Sequence, residues 1–233
     1  MLRSLKQLYG DKIGATDGEI GQVKDFYFDD QNWAIRYLVA DTGTWLAGRQ
    51  VLISPYSLAG LEGSGKVVRA TLTRQQIENS PSIELHKPVS RQYEEEFYRY
   101  YGWPYYWQGD ALWGMSGFPI LELPPIPRAP EMIGPQPERE NHLRSTQAVK
   151  GYLLRIGGET VGHVCDFMMD AESWAIGQLV VKTGHRFSGK ETLIETKQVD
   201  RIGYEESTVF AHLSADTVVE NAAKHLVPAG VIL

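Results

Sequence analysis

The sequence predicts a mainly β protein: two small six-stranded β-barrels, each closed by a short helix, joined by an aromatic- and proline-rich linker. Three observations lead there. The chain repeats itself without a gap at an offset of 141 residues, the periodicity inside each copy is that of strands, and a segment of different composition separates the copies.

The repeat comes first. Gly21-Gln22-Val23-Lys24-Asp25-Phe26 lies over Gly162-His163-Val164-Cys165-Asp166-Phe167, and Trp33-Ala34-Ile35 over Trp174-Ala175-Ile176. Leu38-Val39 and Thr42-Gly43 fall on Leu179-Val180 and Thr183-Gly184, and Leu52-Ile53 on Leu193-Ile194. Strands are expected over residues 12–16, 19–29, 34–41, 49–54, 56–61 and 66–72 of the first copy. Turn chemistry separates them at Asp17-Gly18, Asp29-Asp30-Gln31-Asn32, Thr42-Gly43 and Gly63-Ser64-Gly65. In the last strand Val68, Ala70 and Leu72 recur as Val209, Ala211 and Leu213, while Arg69 and Thr71 become Phe210 and His212. Alternate residues of a strand share a face, so the retained set is expected inside and Arg69 outside. Thr73 and Ser214 are expected N-caps of the closing helices, over residues 74–79 and 215–226. The domains then run 1–80, 81–147 and 148–233, with the linker in the middle.

Composition bounds the function. With 233 residues, 42% hydrophobic and 22% charged, the chain has the make-up of a soluble globular protein. The net charge of −6 and the scattering of Lys and Arg argue against direct nucleic-acid binding, which needs clustered cations against phosphate. Cys165 is the lone cysteine, and no apolar run is long enough for a membrane span or a signal-peptide core. A cytoplasmic location is the expectation.

The linker is the unusual part. Residues 93–113 hold ten aromatics, too much apolar ring area to be left in water, and seven prolines follow between Pro119 and Pro137. Gly102-Trp103-Pro104 should end a helix begun near Tyr93 and turn the chain into a compact hook. Tyr98, Tyr101, Trp103, Tyr105, Tyr106, Trp107 and Trp113 are the candidate partner-binding residues, for another protein or a second copy. The competing expectation is that these rings brace the protein's own barrels. Glu94-Glu95-Glu96 reads as a solvated helix face.

Motifs with chemistry are weak. Residues 60–67 resemble a phosphate-binding loop, but Val67 stands where that loop needs Ser or Thr, and a strand follows instead of a helix. A hairpin turn fits better. His163 and Cys165, with His185 and His212 elsewhere, fall short of a four-ligand zinc site at recognisable spacing. Asp25 with Asp166, and Asp29 with Asp170, occupy matching positions beside turns, where carboxylates satisfy backbone N–H groups. Trp33 and Trp174 are expected in the barrel cores. No catalytic residue, metal or cofactor is expected.

The repeated Gly-x-Val-x-Asp-Phe, Trp-Ala-Ile and Leu-Val strand ending in Thr-Gly resembles the PRC-barrel, more closely over residues 5–80 than over residues 148–221. That module occurs in the photosynthetic reaction-centre H subunit and in the ribosome-maturation factor RimM. The resemblance implies an adaptor module without a shared active site, so the expected function is a non-catalytic cytoplasmic protein-binding scaffold. The alternatives are a peripheral role beside a photosynthetic reaction centre, acting in light-driven electron transfer, and a metal- or small-molecule-dependent enzyme.

Overall fold

A computed structural model of the chain describes residues 1–61, 67–81, 89, 91–121, 143–183 and 190–212. They fall into two units, each built around one sheet. Unit 1 comprises Met1, Leu8–Arg144 and Ala171–Ala175, and unit 2 comprises Leu2–Gln7, Ser145–Asp170 and Ile176–Leu233. The repeat leads one to expect contiguous domains; the units are discontinuous, because the leading strand of the first repeat pairs into the sheet of unit 2.

Unit 1 contains β2 (Lys12–Ala15), β3 (Gly18–Asp29), β4 (Ala34–Asp41), β5 (Gln50–Ile53) and β6 (Val67–Arg69) in the sheet order β5-β4-β3-β2-β6, with β7 (Leu143–Ser145) added on β3. The strand expected over residues 56–61 is different. Pro55–Ser57 form a 3-10 turn, in which Pro55 fixes φ and the Ser54 hydroxyl accepts from the Tyr56 N–H. The chain then approaches the far edge through an isolated bridge, Leu58 to Ala70. Among the described residues no continuous ladder joins β5 to β6, so the closed or nearly closed barrel expected from the sequence is not found there. Helix α1 (Arg74–Glu78) starts at the expected cap: Thr73 and Gln76 form a capping box.

Unit 2 contains β8 (Leu153–Ile156), β9 (Glu159–Asp170), β10 (Ile176–Thr183), β11 (Glu191–Glu195), β12 (Val199–Gly203) and β13 (Thr208–Ala211) in the order β11-β10-β9-β8-β13-β12. The remaining strand, β1 (Leu2–Ser4), pairs antiparallel with the end of β9, Leu2 opposite Asp170.

The two sheets share their irregularities. Register shifts in β3 and β4 leave out Ile20, Lys24 and Arg36, and those in β9 and β10 leave out Val161, Cys165 and Gly177, the same three repeat positions. A bulge adds twist and re-aims side chains, and the two sheets carry theirs at matching places. Gly21 and Gly162 sit beside the first of these bulges. A Cβ on Gly21 would lie 1.9 Å from the Asp41 carbonyl oxygen, and one on Gly162 2.4 Å from that of Lys182. Only glycine fits either position, which explains the leading residue of the repeated motif. Trp33 and Trp174 are also matched: both have left-handed backbone, with φ of 52° and 60°. Trp174 is buried as expected, whereas Trp33 is half-buried and stacks on Phe28 at 5.5 Å.

The alternation in the last strands sets the core. Val68, Ala70, Leu72, Val209 and Ala211 are buried and Arg69 is exposed. Leu213, the expected cap Ser214, the helix over residues 215–226 and the turn over residues 63–65 lie outside the described residues.

Candidate functional site

Helix α2 (Arg91–Tyr101) opens the aromatic segment. It ends where Gly102-Trp103-Pro104 places the stop. The Trp103 N–H donates to the Tyr98 carbonyl at 3.0 Å and the Gly102 N–H to that of Arg99 at 3.3 Å, with Gly102 at φ 71°. This is a Schellman ending, and its usual apolar contact is present: the rings of Tyr98 and Trp103 lie 5.6 Å apart, edge to face. The chain is thereby turned back, and residues 103–113 pack with α2 onto β4 and the Pro55–Ser57 turn of unit 1.

Tyr98 is the centre of the cluster. It contacts Tyr37, Tyr56, Trp103, Tyr106 and Trp107 at ring separations of 5.2–6.3 Å. Tyr101 stacks on Trp103 at 4.3 Å, and Tyr56 meets Trp113 at 5.1 Å. Edge-to-face and offset contacts of this kind add roughly 0.5–1.5 kcal/mol each beyond the burial of the rings.

Two charged groups lie inside this cluster. Glu94 is buried, and its Oε1 accepts from the Tyr37 hydroxyl at 2.8 Å and the Tyr106 hydroxyl at 2.9 Å, while Oε2 pairs with Arg91 at 2.9 Å. Burial pushes the Glu94 carboxyl above the usual carboxylate range, and Arg91 and the two hydroxyls offset only part of that. Arg36, the bulged residue of β4, is also buried. It donates to the Leu112 carbonyl at 2.6 Å and to Asp29 at 3.1 Å, and its guanidinium lies 3.9 Å from the Tyr106 ring centroid. Asp29 in turn accepts from the Gln31 and Asn32 N–H groups. Burial alone would raise the Asp29 carboxyl, but Arg36 and the side-chain and backbone hydrogen bonds from Asn32 hold it below its ordinary value.

The seven residues singled out in the sequence therefore come together on one unit, with unequal exposure. Tyr98, Trp103, Tyr106 and Trp113 are interior residues of unit 1. Tyr101, Tyr105 and Trp107 are half-buried at its rim, Trp107 beneath the Arg91 guanidinium at 4.2 Å. The hook has its Trp103 and Tyr106 turned inward, which is the bracing arrangement. Trp113 also donates its indole N–H to the Ser173 carbonyl at 2.8 Å within unit 1.

Glu94 and Arg36 were missed in the sequence. Glu94 sits in a run of three glutamates, and only the helix phase tells it from exposed Glu95 and Glu96. For Arg36 a signal existed. The face that receives the aromatic segment, Arg36, Tyr37 and Tyr56, becomes Gly177, Gln178 and Lys197 in the second copy. Divergence between otherwise matched repeats marks the unit that carries the extra layer.

Residues 3–69 match the family model of the PRC-barrel domain. The chain carries a PRC-barrel domain there. The matched stretch takes in the sheet of unit 1 as far as β6, and the aromatic segment lies beyond it. No curated protein matches the chain.

Cys165 is the bulged residue of β9, so the simple alternation that would set it beside His163 is broken; it is half-buried and His163 exposed. Burial, with Glu191 and Asp166 nearby, pushes the Cys165 thiol up to about 11, where little thiolate forms at neutral pH. His185 and most of the glycine-rich loop lie outside the described residues. Among the described residues no group of three or more His, Cys, Asp or Glu could hold a metal ion, and no helix is long and apolar enough to cross a membrane. Asp25 accepts from the Phe26 N–H at 2.7 Å and Asp166 from the Lys6 N–H at 2.9 Å, the backbone role expected of them.

Proposed function

We propose that the chain is a non-catalytic protein-binding scaffold of the cytoplasm, built from two PRC-type barrels, in which the aromatic segment anchors a recognition surface. The observation that supports this is the run directly after Trp113. Met115, Phe118, Ile120 and Leu121 are 62%, 48%, 47% and 50% exposed, while Trp113 itself is 1% exposed. Clustered apolar side chains on a surface are unusual without a partner to cover them. The N–H of buried Trp113 donates to the Ser116 carbonyl at 2.8 Å, tying down the start of this run, and Tyr105 and Trp107 at the rim add aromatic area of the kind found at interface hot spots. The partner expected is a protein with a complementary apolar patch.

A photo-crosslinking residue at position 118, in the native chain and in an Ile120→Ser, Leu121→Ser variant, tests this. One discrete crosslinked partner is expected for the native chain and none for the variant, with both proteins melting at the same temperature. The same background of products from both chains would contradict it.

A further inference from the structure

The sheet of unit 2 is completed by the leading strand of the first repeat. β1 pairs with the last residues of β9 in the register Leu2 to Asp170, Arg3 to Met169 and Ser4 to Met168. Past β1 the chain makes a 3-10 turn, Leu5–Gln7, in which Leu5 is fully buried. Asp166 clasps this turn: one carboxylate oxygen accepts from the Ser4 hydroxyl and the other from the Lys6 N–H. An edge strand, a buried leucine and a carboxylate reading a serine together make a peptide-binding site of the strand-addition type. The tripeptide Leu-Arg-Ser occurs again at residues 143–145, as β7, and there it pairs with β3 of the other sheet. The same short sequence thus completes both sheets, one repeat offset apart.

Nothing in this recognition requires the segment to come from the same chain. Gln7 belongs to unit 2 and Leu8 to unit 1, so the segment is joined to the body that follows it by a single peptide bond. We infer that the β9 edge and Asp166 of unit 2 form a strand-acceptor site that takes the Leu2–Gln7 segment of a second copy, giving a strand-exchanged pair. The contacts made in trans repeat those made in cis, so exchange costs no interface and is governed by protein concentration.

Disulfide trapping on the full chain tests this, with Cys165→Ser as background. One copy carries Leu2→Cys and the other Asp170→Cys, facing positions at a separation a disulfide spans. A chain with both substitutions should crosslink within itself, which checks the geometry. Mixed at high concentration under mild oxidation, the two single variants should give a covalent heterodimer well above either variant alone. A large excess of a synthetic peptide of residues 1–10 should suppress it. Crosslinking within single chains with no heterodimer excess would overturn the inference. So would failure of the doubly substituted chain to crosslink at all.

Discussion

The Tyr37 hydroxyl donates to Glu94 at 2.8 Å, so an interior carboxylate joins β4 to helix α2 inside unit 1. Tyr106 donates to the same oxygen at 2.9 Å. Removing the acceptor with Glu94→Ala would leave the Tyr37 hydroxyl without its acceptor and Tyr106 with its bond from Arg91 alone, at about 1–3 kcal/mol for a buried group left unsatisfied. Glu94→Gln keeps an acceptor. The raised Glu94 carboxyl binds more protons in the folded protein than in the unfolded one. Stability relative to Glu94→Gln should therefore fall as pH rises from the ordinary glutamate value through the raised one, then level off. Denaturant midpoints for both proteins between about pH 4 and pH 8 measure this. Parallel curves would show that Glu94 titrates as it does in the unfolded chain.

Arg36 meets Asp29, the Leu112 carbonyl and the Tyr106 ring at once. Arg36→Met strands the Asp29 carboxylate and should cost about 3–5 kcal/mol, the usual loss when one member of a buried pair is removed. Arg36→Lys should not rescue it, because an ammonium cannot serve the same flat fork. The depressed Asp29 carboxyl adds stability above its unfolded value and loses it as pH falls. That acid-side loss should shrink in Arg36→Met, as read from midpoints on the acid side of neutrality.

Gly21→Ala and Gly162→Ala place a methyl group 1.9 Å and 2.4 Å from backbone oxygens of the facing strands. Backbone cannot yield as a side-chain tip does, so each should cost at least about 1–3 kcal/mol. Gly14→Ala is the control: its nearest neighbour is a Val67 methyl at 3.8 Å, an ordinary contact. Thermal melting of the three variants should separate Gly14 from the other two.

The parts legible in the sequence are those fixed by local chemistry. Alternation put Val68, Ala70 and Leu72 inside, Thr73 capped α1, and Gly102-Trp103-Pro104 stopped α2. The ten aromatics of residues 93–113 announced a packed cluster, yet which unit receives it depends on Arg36, Tyr37 and Tyr56, three residues far away in the chain. Glu94 was illegible because three adjacent glutamates look alike until the helix has a partner. The placement of Leu2–Gln7 in unit 2 was hidden for a related reason. A three-residue strand has almost no pattern of its own, and only the recurrence of Leu-Arg-Ser at residue 143 marks it.

The inward face of residues 68–72 in unit 1 has its own check. Leu72→Ala should cost about 2–5 kcal/mol, and Arg69→Ala, on the exposed side, within about 0.5 kcal/mol of nothing. Equal melting of the two variants would mean the faces are reversed.

Equilibrium unfolding of Trp103→Ala against Trp107→Ala tests most directly the claim that the aromatic segment is part of the core of unit 1. Trp103 is buried against Tyr56, Phe97, Tyr98 and Tyr101, whereas Trp107 is half-buried at the rim. A loss of about 3–5 kcal/mol is expected for Trp103→Ala and a clearly smaller one for Trp107→Ala. An unchanged midpoint for Trp103→Ala would contradict it and leave the segment free of the unit it is described as completing.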